Sequence, residues 1–198
     1  YVGNPNAHSY GNVLTSGDLK KALRTKNVFS ASTVDQMPHH VANIRLYGHS
    51  GFWAVPDIDR TQTMIILGGN PMASNGSVWT VPDFRGKAKA MRARGGRLVV
   101  IDPRRTETAA MADRHHAIRP GSDALLLAAM TPTLFDEGLV RTGRLTEHLN
   151  GVDAVRAAVA PFTPERVAAR CGIAAADIRT LARELAAAER GCVYGRLG

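Results

Sequence analysis

A chain of 198 residues, 44% hydrophobic and 21% charged, has the make-up of one globular α/β domain with an attached segment and not of a disordered chain. No apolar stretch approaches the roughly 20 residues that would span a bilayer, so membrane insertion is not expected. The net charge of +8 suits a phosphate-bearing ligand or an acidic partner. Arg104, Arg105, Arg114 and Arg119 are nevertheless interleaved with Asp102, Glu107 and Asp113, and without a pure basic block no nucleic acid partner is expected.

The opening Tyr1-Val2-Gly3-Asn4-Pro5 has neither the basic nor the apolar run of a secretory signal, and the expected location is cytoplasmic. Residues 1–35 are rich in Gly, Asn and Ser and hold one short helical stretch, Ser16 to Arg24, with Ser16 placed to cap it and Leu19 and Leu23 on one face. Val28-Phe29 reads as a short strand. Gln36 to Gly48 reads as a helix behind a turn at Met37-Pro38, with Val41, Ile44 and Leu46 as apolar positions. The loop to Pro56 carries Phe52 and Trp53, which suit packing at a domain edge.

From Arg60 the pattern changes. Met64-Ile65-Ile66-Leu67 is a continuous apolar run entering Gly68-Gly69-Asn70-Pro71, as a buried parallel strand entering a loop would be. A helix of uneven quality extends to Arg94 and stops at Gly95-Gly96. Arg97-Leu98-Val99-Val100-Ile101 is a second buried strand, ending on Asp102-Pro103, and a helical turn covers Thr106 to Ala112. Ala117-Ile118-Arg119 reads as a third strand, closed by Pro120-Gly121, and Asp123 to Met130 begins an apolar helix. Further helices are expected over Leu145 to Leu149, Val152 to Val159, Pro164 to Cys171 and Ala175 to Ala188, with Thr163 capping the third of these ahead of Pro164. Cys192-Val193-Tyr194 is a last strand. Strands alternating with helices predict an α/β fold: a Rossmann-like, mostly parallel sheet wrapped by helices, with an edge of a neighbouring domain.

Ligands of such sheets bind outside the carboxyl ends of the strands. Those ends here carry Gly68-Gly69-Asn70-Pro71, Asp102-Pro103-Arg104 and Pro120-Gly121-Ser122-Asp123. Glycine lets backbone approach a phosphate, an acid ending the second strand can hold ribose hydroxyls, and Arg104 can pair with phosphate. Asp123 can accept two hydrogen bonds from the N1–H and amino group of a guanine. The loop is not GxGxxG, and the same residues also suit plain turns and a helix cap, so an ordinary dinucleotide site and a purely structural role stay open here. Cys171 and Cys192, the two cysteines, form no CxxC and read as small buried residues, offering no zinc or iron–sulfur site. Asn75-Gly76-Ser77 matches a glycosylation acceptor by chance. The adjacent pairs His39-His40 and His115-His116 project their rings apart, which argues against a shared ligand role.

Three strings together resemble a known family: Ile66-Leu67-Gly68-Gly69-Asn70-Pro71, Val100-Ile101-Asp102-Pro103-Arg104-Arg105-Thr106-Glu107-Thr108-Ala109 and Ile118-Arg119-Pro120-Gly121-Ser122-Asp123-Ala124-Leu125-Leu126. In order and spacing they resemble the molybdopterin-dependent oxidoreductases of the dimethyl sulfoxide reductase and formate dehydrogenase type. The opening Gly3-Asn4-Pro5-Asn6-Ala7-His8 and the closing Val193-Tyr194-Gly195-Arg196 resemble them as well.

The resemblance implies a molybdopterin guanine dinucleotide cofactor, two copies of which hold one molybdenum or tungsten atom, with this region gripping one copy. It implies that Gly68, Gly69, Asn70, Ser74 and Asn75 face phosphate and ribose. Asp102, Pro103, Arg104 and Thr106 would line the ribose and guanine region, and Gly121 with Asp123 the guanine. It further implies a 4Fe-4S cluster in an N-terminal part and a second dinucleotide clamp, neither present in this sequence, so a fragment inactive by itself is expected. Its partners would be the other domains of the parent enzyme and an electron-transfer subunit, with formate as the leading substrate. The metal ligand of such enzymes lies near the segment matching Phe29 to Met37, where Ser32 and Asp35 are the candidate oxygen ligands, though both also suit a loop and a helix cap. His39 or His40 falls where formate-oxidising relatives carry a catalytic histidine. Residues 1–35 would then be the edge of a neighbouring domain, 36–190 the cofactor-binding domain, and 191–198 a truncated strand returning to that neighbour.

Overall fold

The computed structural model describes residues 9–30 and 36–196. They fall into two compact units, one running to Ala54 and one spanning Val55–Arg196.

Among its described residues the first unit holds two helices, α1 (Tyr10–Leu23) and α2 (Met37–Tyr47). α1 is longer than its apolar pair predicts. Ser16 lies inside it, and its hydroxyl donates to the Val13 carbonyl at 3.4 Å instead of capping. Val28-Phe29 forms no strand, because the Val28 N–H closes a tight local turn on the Lys26 carbonyl at 2.9 Å. Met37-Pro38 is the first turn of α2 itself, where proline's missing N–H is harmless. α2 belongs with the first unit, so the compact α/β unit begins at Val55 and not at residue 36. The physical reason is that Val41, Ile44 and Leu46 are exposed and build no core.

The second unit is built on four parallel strands: β1 (Thr63–Leu67), β2 (Arg97–Ile101), β3 (Arg114–His116) and β4 (Gly191–Gly195), in the order β3-β2-β1-β4. Every residue of β1 is buried, as its uninterrupted apolar run requires. Alternation along β1 and β2 divides the core in two. Ile65, Leu67, Val99 and Ile101 face a layer made by α6 (Asp123–Asp136), α8 (Pro164–Cys171) and α9 (Ala175–Ala187), with Leu126, Ile178 and Leu181 fully buried against them. Met64, Ile66, Leu98 and Val100 face Trp79, Phe84, Ala88 and Met91, carried by a 3-10 turn (Ser77–Trp79) and α4 (Phe84–Ala93). Two short helices, α3 (Pro71–Ser74) and α5 (Glu107–Met111), follow β1 and β2. α7 (Val152–Val159) completes the set.

Two expectations change. The third strand lies three residues earlier than Ala117-Ile118-Arg119. Ile118 is buried, but past the end of β3, in a segment tied to the helical layer by the Arg119 N–H donating to the Cys171 carbonyl at 2.9 Å. Apolar character marked burial there and not ladder membership. The last strand does not return to a neighbouring domain: β4 pairs with β1 from Thr63↔Gly191 to Leu67↔Gly195. The ring of Tyr194 on β4 lies 5.3 Å from that of Trp79, tilted by 52°, and its hydroxyl donates to the Gly76 carbonyl.

Burial holds the half-buried His116 imidazole below its ordinary value of 6.5. Its Nε2 finds no hydrogen-bond partner among the described residues. The unfolded chain therefore takes up a proton first as pH falls through about 6.5, and stability is lost below that point. Thermal melts between pH 7.5 and 5.5 should show a falling Tm, with a shallower fall in His116→Gln. An unchanged slope in that variant would place the acid sensitivity elsewhere.

Candidate nucleotide site at the carboxyl end of the sheet

Register places the predicted site residues together. Leu67, Ile101 and His116 are level with one another, so Gly68, Asp102 and the segment beyond His116 leave the sheet at one end, about 5 Å apart from strand to strand. The chain walks from β1 to β2 to β3, then crosses back to β4 on the far side of β1. The connections therefore part between β1 and β4, where α/β sheets open a crevice. The glycine loop lies there beside Gly195-Arg196, and the Arg196 N–H donates to the Leu67 carbonyl at 3.0 Å.

Gly68 adopts φ +61°, a conformation that L side chains rarely take, and its N–H donates to the Ile101 carbonyl at 2.9 Å. Gly69 is buried, and a Cβ there would meet Ile66 Cγ2 at 2.9 Å and the Tyr194 ring at 3.7 Å. Asn70 ends the loop with its side chain engaged: Nδ2 donates to Glu107 Oε2 at 2.7 Å, and Oδ1 accepts from Thr108 Oγ1 at 2.7 Å and Thr108 N at 3.3 Å. The Ser74 hydroxyl donates back to the Asn70 carbonyl at 3.2 Å. Asn75, exposed at φ +51°, makes no side-chain hydrogen bond among the described residues.

Asp102 is 7% exposed. Its backbone is held by the His116 carbonyl, which accepts its N–H at 3.2 Å, and by His115 Nε2, which donates to its carbonyl at 2.9 Å. Its Oδ1 accepts the Arg104 N–H at 2.8 Å, an Asx turn that leaves Oδ2 with no hydrogen bond among the described residues. Pro103 and Arg104 are exposed. Thr106 is buried and caps α5, its Oγ1 accepting the Ala109 N–H at 3.1 Å, so this hydroxyl already has a structural task.

Gly121 turns at φ +77° in open space, and the Ser122 hydroxyl donates to the Arg119 carbonyl at 2.6 Å rather than capping α6. Asp123, half-buried in the first turn of α6, makes no hydrogen bond or ion pair among the described residues. Two carboxylates, Asp102 and Asp123, thus flank β2 and β3 with acceptor capacity to spare.

The two candidate histidines belong to the first unit. His39 and His40 both lie against the Trp53 ring, at 5.5 and 4.9 Å, and His40 Nδ1 donates to the Ser50 carbonyl at 3.0 Å. Ser32 and Asp35 lie outside the described residues. Among the described residues no group of three or more His, Cys, Asp or Glu side chains could hold a metal ion, and no helix is long and apolar enough to cross a membrane. Sequence reasoning gave no role to Glu107, Thr108 and His115, which the structure ties into the site. The first two stand inside the quoted string around Asp102, but nothing local tells a helix-starting Glu-Thr from one that reaches across to another loop.

No family model matches the chain. Among curated proteins it is 31% identical over 145 residues to formate dehydrogenase H of Escherichia coli, covering 73% of this chain and 19% of that protein. It is 32% identical over 186 residues to the dimethyl sulfoxide/trimethylamine N-oxide reductase of Cereibacter sphaeroides, covering 85% of this chain and 22% of the reductase. A nitrate reductase of Shewanella frigidimarina is 32% identical over 141 residues. The chain thus spans about a fifth of the length of the curated relatives it matches. In fold it superposes on acetylene hydratase from Pelobacter acetylenicus with a TM-score of 0.70 at 23% identity, covering 84% of this chain and 22% of the hydratase. The sequence relatives are molybdopterin oxidoreductases, and the chain is homologous to one α/β region of them.

Proposed function

We propose that this α/β unit grips one of the two molybdopterin guanine dinucleotides of a molybdenum or tungsten oxidoreductase, the parent enzyme being of the formate dehydrogenase kind. The observation that carries the reading is the pairing, on neighbouring strand ends, of a glycine loop too tight for a Cβ at Gly69 with a nearly buried carboxylate, Asp102, one oxygen of which takes no hydrogen bond among the described residues. These residues fit such a group: Gly68, Gly69, Ser74 and Asn75 would meet phosphate and ribose, Asp102 to Arg104 the ribose, and Gly121 with Asp123 the guanine. When bound, the metal–dithiolene group supplies two-electron chemistry, and this region supplies binding and orientation. A 4Fe-4S cluster and an electron-transfer subunit belong, in this reading, to other parts of the enzyme.

The test is a titration of GDP and ADP into protein made in a host that cannot synthesise molybdopterin. GDP should bind the more tightly, and Arg104→Ala should lower its affinity about threefold to tenfold and flatten its salt dependence, because a screened phosphate contact is gone. The ligand-free Tm should hardly move, since an exposed arginine contributes little to stability. Equal affinities for both nucleotides, or a large fall in Tm with affinity unchanged, would overturn the reading.

A further inference from the structure

The side chain of Asn70 joins the two loops of the site. One end of its amide is taken by Glu107 Oε2 at 2.7 Å, the other by the hydroxyl of Thr108 at 2.7 Å, and that hydroxyl in turn accepts the Met72 N–H at 3.2 Å. Thr108 is 0% exposed, so the bonds through its hydroxyl are shielded from competing water, whereas the Asn70–Glu107 bond lies at the surface. Glu107 is exposed, and its own backbone N–H and then the Asn70 amide hold its carboxyl below the usual carboxylate range. The loop after β1 and the loop after β2 each carry candidate ligand groups, Gly68-Gly69 on one and Asp102 to Arg104 on the other. A ligand spanning both needs their spacing fixed before it arrives, because ordering loops on binding subtracts from affinity.

We infer that Glu107 and Thr108 are positioning residues that clamp Asn70, and that Asn70 serves the site through this clasp and not by touching the ligand with its own side chain. The inference rests on the nucleotide reading above. Among the described residues no other side-chain hydrogen bonds join these two loops, and an amide with both ends engaged keeps a single N–H to offer a phosphate.

A double-mutant cycle on GDP binding separates the possibilities. Asn70→Ala and Thr108→Val should each weaken GDP about tenfold, the double variant no more than either single change, and Thr108→Ser should return affinity to within about twofold of the parent. Glu107→Ala changes an exposed residue and keeps the test open should Thr108→Val fail to fold; it should weaken GDP about threefold to fivefold, again with no further loss on adding Asn70→Ala. Losses that multiply when Asn70→Ala is combined with either variant would show Asn70 contacting the ligand independently and would overturn the clasp. So would unchanged GDP affinity in Glu107→Ala and Thr108→Val, or a loss that Thr108→Ser does not repair. Failure of the parent protein to prefer GDP over ADP counts against the nucleotide reading instead, so the two failures are distinguishable.

Discussion

Replacing Asp123 with alanine should weaken GDP by about tenfold to a hundredfold while leaving ADP within about twofold. A hydrogen bond to a charged acceptor contributes about 1.5–3 kcal/mol, and a guanine offers two donors, N1–H and the amino group, that one carboxylate can take together. Since each 1.4 kcal/mol is tenfold in affinity, even one such bond reaches the lower figure after discounting for the half-exposed position. Adenine presents an acceptor at N1, so its binding gains nothing from Asp123. The carboxylate has a second task in the first turn of α6, where negative charge favours the helix by about 0.3–1 kcal/mol. Losing that lowers Tm by a few degrees but cannot separate one base from another. The comparison of GDP with ADP on a single variant is therefore the discriminating measurement. Equal losses for both would leave guanine recognition without support. Asp123→Asn, which turns an amide N–H toward the base donors, should be at least as damaging as alanine.

The second large effect lies in the glycine loop. Gly69→Ala places a methyl 2.9 Å from Ile66 Cγ2, closer than real Cβ atoms approach, and Ile66 is fully buried with no room to turn aside. Overpacking of this kind costs about 1–3 kcal/mol. At about 2–4 °C per kcal/mol for a chain of this size, thermal melts should show a fall of about 2–12 °C. Ile66→Leu lacks the γ2 methyl, and combining it with Gly69→Ala should recover part of the loss, a departure from additivity expected of residues in contact. Gly68→Ala makes the contrast. Its Cβ meets nothing nearer than the Arg196 carbonyl at 3.8 Å, but φ +61° strains it by about 1–2 kcal/mol. If Gly69→Ala melts with the parent protein, the tight packing of the loop on Ile66 is not a feature of the folded state.

Much of this was legible in the residues. The runs Met64-Ile65-Ile66-Leu67 and Arg97-Leu98-Val99-Val100-Ile101 are strands with the buried patterns their composition predicts. Val152–Val159 and Pro164–Cys171 begin and end where caps and periodicity put them. The punctuation after these strands, Gly-Gly-Asn-Pro and Asp-Pro-Arg, leaves the sheet at one end, as the strand assignment required. What failed had identifiable causes. β3 is a three-residue edge strand of Arg and His, whose ladder bonds are made by backbone and leave no hydrophobic signature. Ile118 carried that signature but gives its burial to the helical layer.

The sequence by itself determined that the chain alternates strand and helix, that its apolar strands must be covered on both faces, and that glycines and acids cluster at their carboxyl ends. Hydrophobic periodicity and turn chemistry are local, so they survive without knowledge of the fold. Only the tertiary structure decided that β4 closes the sheet against β1, which puts the glycine loop where the connections part. It alone showed that the Thr106 hydroxyl is taken by a helix cap, and that Asn70 binds Glu107 and Thr108 across two loops. Strand order and side-chain partnership depend on which distant segments meet, and a residue's type records the bonds it can make but not the neighbour that takes them.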